Sequence, residues 1–214
     1  MNLTKVKAII WDWNGTLLND VDICINSMNQ LLVGRNMEPI NKQKYLEIFT
    51  FPVKDYYEKA GFDFRKEEFE IPALQFIELY QKNLKHADLH PAVVNILDYS
   101  KSKGVQQYIL SAMQHDSLIK SLKDNRIYDY FIHIHGIDNH YAHSKVEMGF
   151  DLLDKIPFKR KEMVLIGDTL HDESVARELG IDCILIASGH QSKERLNVNG
   201  SMVLNNLEEL KKLF

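Results

Sequence analysis

Residues 9–20 read IIWDWNGTLLND. An apolar run stops abruptly at a carboxylate, Asp12, and Asn14-Gly15-Thr16 then turns the chain before a second short apolar pair. Continuous runs rich in Ile, Val and Leu suit strands buried on both faces, as in a parallel sheet covered by helices. The run at 8–11 has counterparts at 105–110, 131–134, 163–166 and 182–187, which predict four more strands. Helical spacing over 91–103, 114–123, 144–154 and 171–179 predicts the covering helices. Strands alternating with helices in this way predict a doubly wound α/β domain.

The stretch from about 18 to 86 offers no convincing strand. Phe69, Ala73, Phe76, Ile77, Tyr80 and Leu84 follow i, i+3, i+4, i+7 spacing and predict one amphipathic helix, with Pro72 tolerated near its start. Residues 20–33 and 53–60 read as further helices, separated by turn signals at Gly34–Pro39 and Gly61–Phe62. The expected organisation is therefore an α/β, Rossmann-like parallel-sheet core over 1–17 and 87–214, with a small all-helical insert over 18–86 directly after the first strand.

Composition narrows the function classes. The 214 residues carry a net charge of −4, with 26 Lys and Arg against 30 Asp and Glu well mixed along the chain. No basic stripe is present, so nucleic acid is not an expected partner. The apolar runs stop short of the roughly 18 residues that a membrane span needs, and the N-terminus lacks a signal-peptide pattern, so no membrane partner is expected. Cys24 and Cys183 lie far apart in apolar surroundings; reduced thiols in a cytoplasmic protein are the simpler reading. No feature specifies an oligomeric state.

In an open parallel sheet, ligands bind at the carboxyl ends of the strands. The first predicted strand ends in Asp12, Asn14, Gly15 and Thr16, the second in Ser111 and Ala112, and the fourth in Asp168, with Asp172 one turn into the next helix. Lys145 opens the helix before that fourth strand. Two or three carboxylates thus meet a hydroxyl and an ammonium at one edge. Clustered carboxylates repel, and Mg²⁺ is a fitting remedy, because it takes one or two protein carboxylates and fills its remaining positions with water and phosphate oxygens. A carboxylate can also act as a nucleophile and form an aspartyl-phosphate. Gly15 would let the loop backbone approach a phosphate, and Ser111 and Lys145 would contact the transferring phosphoryl group.

Four segments in order, IIWDWNGTLLND at 9–20, YILSA at 108–112, Lys145 and VLIGDTLHD at 164–172, resemble the haloacid dehalogenase superfamily of phosphatases. The insert after the first segment resembles the helical-cap, phosphoglycolate phosphatase-like subfamily. The resemblance implies a phosphatase that hydrolyses a small phosphorylated metabolite through an aspartyl-phosphate, with Mg²⁺ as cofactor. It implies Asp12 as nucleophile, with Asn14 and Lys145 also at the catalytic centre. Asp12, the backbone carbonyl of Asn14 and Asp168 would hold the metal, and Asp172 would hold it directly or through water. Gly15, Thr16, Ser111, Ala112 and Lys145 would hold the phosphate. Residues of the cap would select the leaving group, and Phe51, Pro52, Lys54, Tyr56 and Tyr57 form a polar-aromatic cluster there.

Asn14 departs from the family pattern, which usually has an aspartate that protonates the departing oxygen and then activates water. Such general acid–base help is typically worth about 10²–10⁴ in rate. Without it, aryl or acyl phosphates are expected over alkyl phosphates, and the phosphoenzyme is expected to accumulate. The alternatives are a non-catalytic or weakly active relative, a phosphonate hydrolase using Lys54 as a Schiff-base lysine, and a haloacid dehalogenase, against which the Asp168/Asp172 pair argues. His133, His135, His140 and His143 read as surface or loop residues rather than a zinc site, since they lack cysteine partners and an evident second shell. His171 reads as a helix-capping or solvent-exposed residue, and SGHQSKERL at 188–196 as a loop entering a helix, with Gly189 able to meet an anion.

Overall fold

A four-residue strand with no polar side chain needs a neighbour on each edge and a layer on each face. Ala8–Trp11 (β1) has both in the computed structural model, which describes residues 3–137, 144–197 and 200–214. The chain continues through Leu18–Asn19 (β2) into four helices, Val21–Val33 (α1), Lys42–Ile48 (α2), Val53–Ala60 (α3) and Glu70–Asn83 (α4). Asp88–Leu89 (β3) pairs back onto β2, followed by Val93–Ser102 (α5), Gln106–Gln114 (β4), His115–Asp124 (α6) and Ile134–Ile137 (β5). The remainder is Lys145–Leu153 (α7), Met163–Gly167 (β6), Leu170–Leu179 (α8), Asp182–Ile186 (β7), Lys193–Leu196 (α9) and Met202–Leu204 (β8). No described helix is long and apolar enough to cross a membrane.

The main sheet runs β5-β4-β1-β6-β7-β8, and every pairing in it is parallel. Side chains alternate between its faces, as the two-residue period of a strand requires. Ile9, Trp11, Ile109, Val164 and Ile166 pack with α5, α6 and the C-terminal turn through Val93, Ile96, Leu118, Leu122 and Leu210. Ala8, Ile10, Tyr108, Leu110 and Leu165 pack with α7 and α8 through Met148, Leu152, Val175, Ala176 and Leu179. After β1 the chain moves outward to β4 and β5, then crosses back to β6 on the other side. The carboxyl end of β1 is therefore the switch point at which a crevice opens. Trp11 is level with Ile109 of β4 and Ile166 of β6, so the residues following all three strands share one edge.

The helical insert has its own apolar cluster. Val21, Cys24, Ile25, Met28, Leu31 and Leu32 form one face of α1 and meet Tyr45 and Ile48 of α2 and Tyr56 and Tyr57 of α3. Its two ends are joined by the antiparallel pairing of Leu18 with Leu89 and Asn19 with Asp88.

Several expectations change. The stretch from 18 begins with a short strand, because Leu18 and Asn19 meet a partner only after the insert has returned. Helix α2 was not expected; its polar sequence hides Tyr45 and Ile48, the residues it buries. The third strand starts at Ile134 rather than 131, since Phe131 instead fills the core beneath a turn. The second extends through Ser111 to Gln114, and β8 adds an edge strand. Ile77 in α4 is 48% exposed, so the buried stripe of that helix is narrower than its spacing suggests.

These packing positions predict a contrast. Ile10→Ala removes a fully buried side chain from the central strand and should cost about 2–5 kcal/mol in urea unfolding. Leu74→Ala, on the 62% exposed face of α4, should stay within about 0.5 kcal/mol. Similar losses for both would contradict the layer assignment.

Candidate active site

Asp12 is the first residue beyond β1, and its backbone N–H donates to the Ile166 carbonyl of β6 at 2.8 Å. The same edge receives Asp168 from the end of β6, and Thr169 starts α8. Thr169 and Asp172 form a capping box: the Thr169 hydroxyl donates to Asp172 Oδ2 at 2.6 Å, and its N–H does so at 3.0 Å. This turns Asp172 toward the sheet. Lys145 is the first residue of α7, whose own capping box at Ser144 and Glu147 fixes the start of that helix. Its Nζ donates to Asp12 Oδ1 at 2.5 Å and Asp172 Oδ1 at 2.6 Å. One buried ammonium thus spans two buried carboxylates.

The carboxylate oxygens of Asp12, Asp168 and Asp172 lie within 4.8 Å of one another. Burial pushes Asp12 up to about 8, with Lys145 pulling against it and Asp172 and Asp168 adding to it. Burial likewise pushes Asp168 up to about 6, opposed by His190. For Asp172, burial is outweighed by Lys145, and the carboxyl is held below its ordinary value. Lys145 is held above the ordinary lysine value because Asp12 and Asp172 outweigh its burial.

Asp12, Asn14, Ala112, Lys145, Asp168 and Asp172 line one cavity of about 380 Å³. Gly15, Thr16 and Ser111 are buried and are not among the lining residues. The Thr16 hydroxyl donates to Asp168 Oδ1 at 2.9 Å, and Ser111 Oγ accepts the N–H of Met113 at 3.0 Å. Gly15 adopts φ +75°, and a Cβ there would fall 2.3 Å from Asp168 Oδ2, so the close approach requires glycine.

A second charged group, invisible in the sequence pattern, adjoins the first. Asp20 stands at the N-cap of α1, yet its carboxylate makes no cap hydrogen bond. It accepts instead from Gly15 N–H at 2.9 Å, Asn14 Nδ2 at 2.8 Å and the Tyr80 hydroxyl at 2.6 Å. Asn14 Nδ2 also donates to Tyr80 at 2.7 Å. His190 Nε2 lies 3.3 Å from Asp20 Oδ1, its Nδ1 is paired with the Tyr45 hydroxyl at 2.8 Å, and its backbone N–H donates to Asp168 Oδ2 at 2.6 Å. Burial opposes the charge on His190, but Asp20 outweighs it and raises the imidazole to about 9. Asp20 is correspondingly lowered, His190 overcoming the effect of burial. Asp20, Cys24 and His190 also bring ligand atoms within 4.8 Å, but both ring nitrogens of His190 already have partners.

The remaining candidates separate cleanly. Phe51, Tyr56 and Tyr57 line the cavity, whereas Lys54 is exposed and sits over the Phe64 ring at 5.6 Å. His171 lines the cavity and stacks on Phe51 with ring centroids 4.6 Å apart. His133 stacks on Tyr108, and His135 Nε2 meets Lys155 Nζ at 3.1 Å, both away from the cavity. His140 and His143 lie outside the described residues. The segment at 188–196 does enter a short helix, but its His190 is buried in the site rather than exposed in a loop.

Comparison with known proteins agrees with this architecture. The sequence profile of haloacid dehalogenase-like hydrolases matches residues 9–186. A phosphoglycolate phosphatase of Chromobacterium violaceum is 22% identical over 219 residues, covering 98% of this chain and 97% of that protein. A haloacid dehalogenase-like family hydrolase from Streptococcus pneumoniae superposes with a TM-score of 0.82 at 21% identity, covering 99% of this chain and 100% of its own. A predicted phosphoglycolate phosphatase from Haemophilus somnus gives 0.78 at 18% identity, with 97% of both chains covered. The protein tyrosine kinase A of Mycobacterium tuberculosis gives 0.80 at 17% identity, with 97% of both covered. Likenesses at this level share a fold under different functional names, so the reaction has to be argued from the site. With the profile spanning most of the chain and the four segments converging on one cavity, the chain belongs to the haloacid dehalogenase-like hydrolase family.

Proposed function

We propose that this chain is a Mg²⁺-dependent phosphatase that hydrolyses a small phosphomonoester through an aspartyl-phosphate on Asp12. The observation that carries the proposal is the convergence of Asp12, Asp168 and Asp172 around Lys145 at the floor of the cavity. The relatives named phosphoglycolate phosphatase support a small phosphorylated metabolite as substrate.

The residues fit a hard divalent cation. One ammonium is shared by Asp12 and Asp172, and burial, with the neighbouring carboxylates adding to it, raises both Asp12 and Asp168. All the donors are oxygens, as Mg²⁺ prefers. Asp12, Asp168 and the Asn14 carbonyl would hold the ion. Asp172, already engaged by Lys145 and Thr169, would act through water or as a direct ligand. When bound, the ion would neutralise charge on the carboxylates and the phosphoryl oxygens.

In the first step, an Asp12 carboxylate oxygen bonds to phosphorus as the bond to the leaving oxygen breaks, and that oxygen departs with the electron pair. In the second, water attacks the acyl phosphate at phosphorus, releasing inorganic phosphate and restoring the carboxylate. Lys145 holds Asp12 in place and lies where it would meet a phosphoryl oxygen. The Asn14 amide, fixed between Asp20 and Tyr80, has no acidic proton to give the leaving oxygen. A non-catalytic relative is the reading that Asn14 favours. Lys54 outside the cavity argues against phosphonate hydrolysis by a cap lysine, and the carboxylate trio argues against dehalogenation.

Two outcomes are expected. Turnover of an aryl phosphate should appear with Mg²⁺ and vanish with EDTA; Asp12→Asn should reduce it to background while thermal unfolding stays cooperative. Turnover insensitive to either change would contradict the proposal. Asn14→Asp alone would set a carboxyl against Asp20 at the 2.8 Å now spanned by the amide. Asn14→Asp with Asp20→Asn keeps a hydrogen bond there and should raise the rate on an alkyl phosphate more than on an aryl phosphate, within the roughly 10²–10⁴ attributable to acid–base help. Equal or reduced rates on both would show that position 14 does not limit proton transfer.

A further inference from the structure

We propose that the cavity selects a small, free aryl phosphate whose ring carries no charge, an assignment that rests on the phosphatase reading above. The wall above the carboxylates is built by Phe49, Phe51, Tyr56, Phe76, Ile77 and Met113. Its rings are continuous: Phe49 meets Phe51 at 5.6 Å and Tyr56 at 5.2 Å between centroids, edge to face, the favourable geometry for aromatic pairs. At about 380 Å³ the cavity falls in the lower part of the roughly 300–1,000 Å³ range of small-molecule sites. That suits a phosphoryl group and one ring.

Charge excludes the acidic alternative. Among the described residues lining the cavity, Lys145 is the one lysine or arginine, and it is already shared between Asp12 and Asp172. His190 is committed to Asp20, and His171, the other histidine lining the cavity, stacks on the Phe51 ring. Arg195, which approaches the insert, spends its guanidinium on the Leu46 and Phe49 carbonyls. A leaving group bearing a carboxylate would shed its water beside Asp12, Asp20, Asp168 and Asp172 with no cation of its own to meet. An uncharged ring instead gains apolar contact on entry.

A further observation points the same way. The Asn14 amide supplies no acid at the departing oxygen, and a phenolic oxygen, with an ordinary pKa of about 10, leaves with far less need of one than an alkanol.

The test combines binding and turnover. Phenyl phosphate, 4-hydroxyphenyl phosphate, phosphoglycolate and a phosphotyrosyl peptide are titrated into Asp12→Asn protein with Mg²⁺ by calorimetry, and assayed as substrates of the unaltered protein. The two free aryl esters should bind about 10-fold or more tighter than phosphoglycolate, the order of gain expected from burying one ring, and should have the higher kcat/KM. Ile77→Lys, at a half-exposed position on the cavity wall, should narrow that ratio by improving phosphoglycolate. Phosphoglycolate binding as tight as either aryl ester would overturn the assignment while leaving the phosphatase reading intact. Peptide hydrolysis as efficient as that of the free esters would overturn the free-ester assignment. Absence of turnover on every ester would sink the phosphatase reading, and the binding titrations would still decide which chemistry the cavity selects.

Discussion

Four buried carboxylates meet at the carboxyl edge of the sheet, and the arrangement of this molecule follows from holding them there. Two unit charges 4 Å apart repel by about 4 kcal/mol at an effective dielectric of 20, so Asp12, Asp20, Asp168 and Asp172 require compensation from within the fold. Two cations provide it, each shared. Lys145 lies between Asp12 and Asp172, while His190 faces Asp20 with its ring and Asp168 with its backbone N–H. The shared cations tie together the end of β1, the starts of α1, α7 and α8, and the loop after β7. Removing one member leaves another buried charge exposed to its neighbours, which is why such sets behave as a unit.

The same constraint joins the helical insert to the sheet. The loop carrying His190 reaches the site only because residue 189 is glycine: a Cβ there would lie 2.1 Å from Asp168 Oδ2. His190 of that loop pairs with Tyr45 of α2, and Gln191 and Arg195 donate to the Phe49 carbonyl. The insert contributes Tyr80 from another direction, closing on Asp20 and Asn14. The wall that would contact a leaving group is thus fixed by the groups that neutralise the floor. On the proposed function, an apolar wall over a charged base would separate the two tasks, with chemistry below and selection above.

The parts legible from sequence alone were those set by strand periodicity and topology. Buried strands at 8–11, 163–166 and 183–187 announce themselves by unbroken apolar runs, and a parallel sheet sends the residues after them to one edge. Asp12, Asp168, Asp172 and Lys145 come together on that logic. Asp20 lay inside the quoted stretch, but an acid before a helix reads as a cap, and only the structure turns its carboxylate toward Gly15 and Asn14. His190 was hidden because Ser, Gly, His and Gln in succession read as a solvated loop; burial follows from contacts with Tyr45 and Phe49, more than 140 residues away. Helix α2 was missed for the same reason, since two buried side chains in seven residues make no detectable period.

The central claim is that the Asp12 carboxylate takes the phosphoryl group. Rapid acid quenching during turnover of an aryl phosphate, followed by peptide mass analysis, tests it most directly. One phosphoryl group should appear on Asp12 in the peptide spanning β1 and should disappear in a chase without substrate. Turnover with that peptide unmodified at every quench time, or with the phosphoryl group on another residue, would contradict the account.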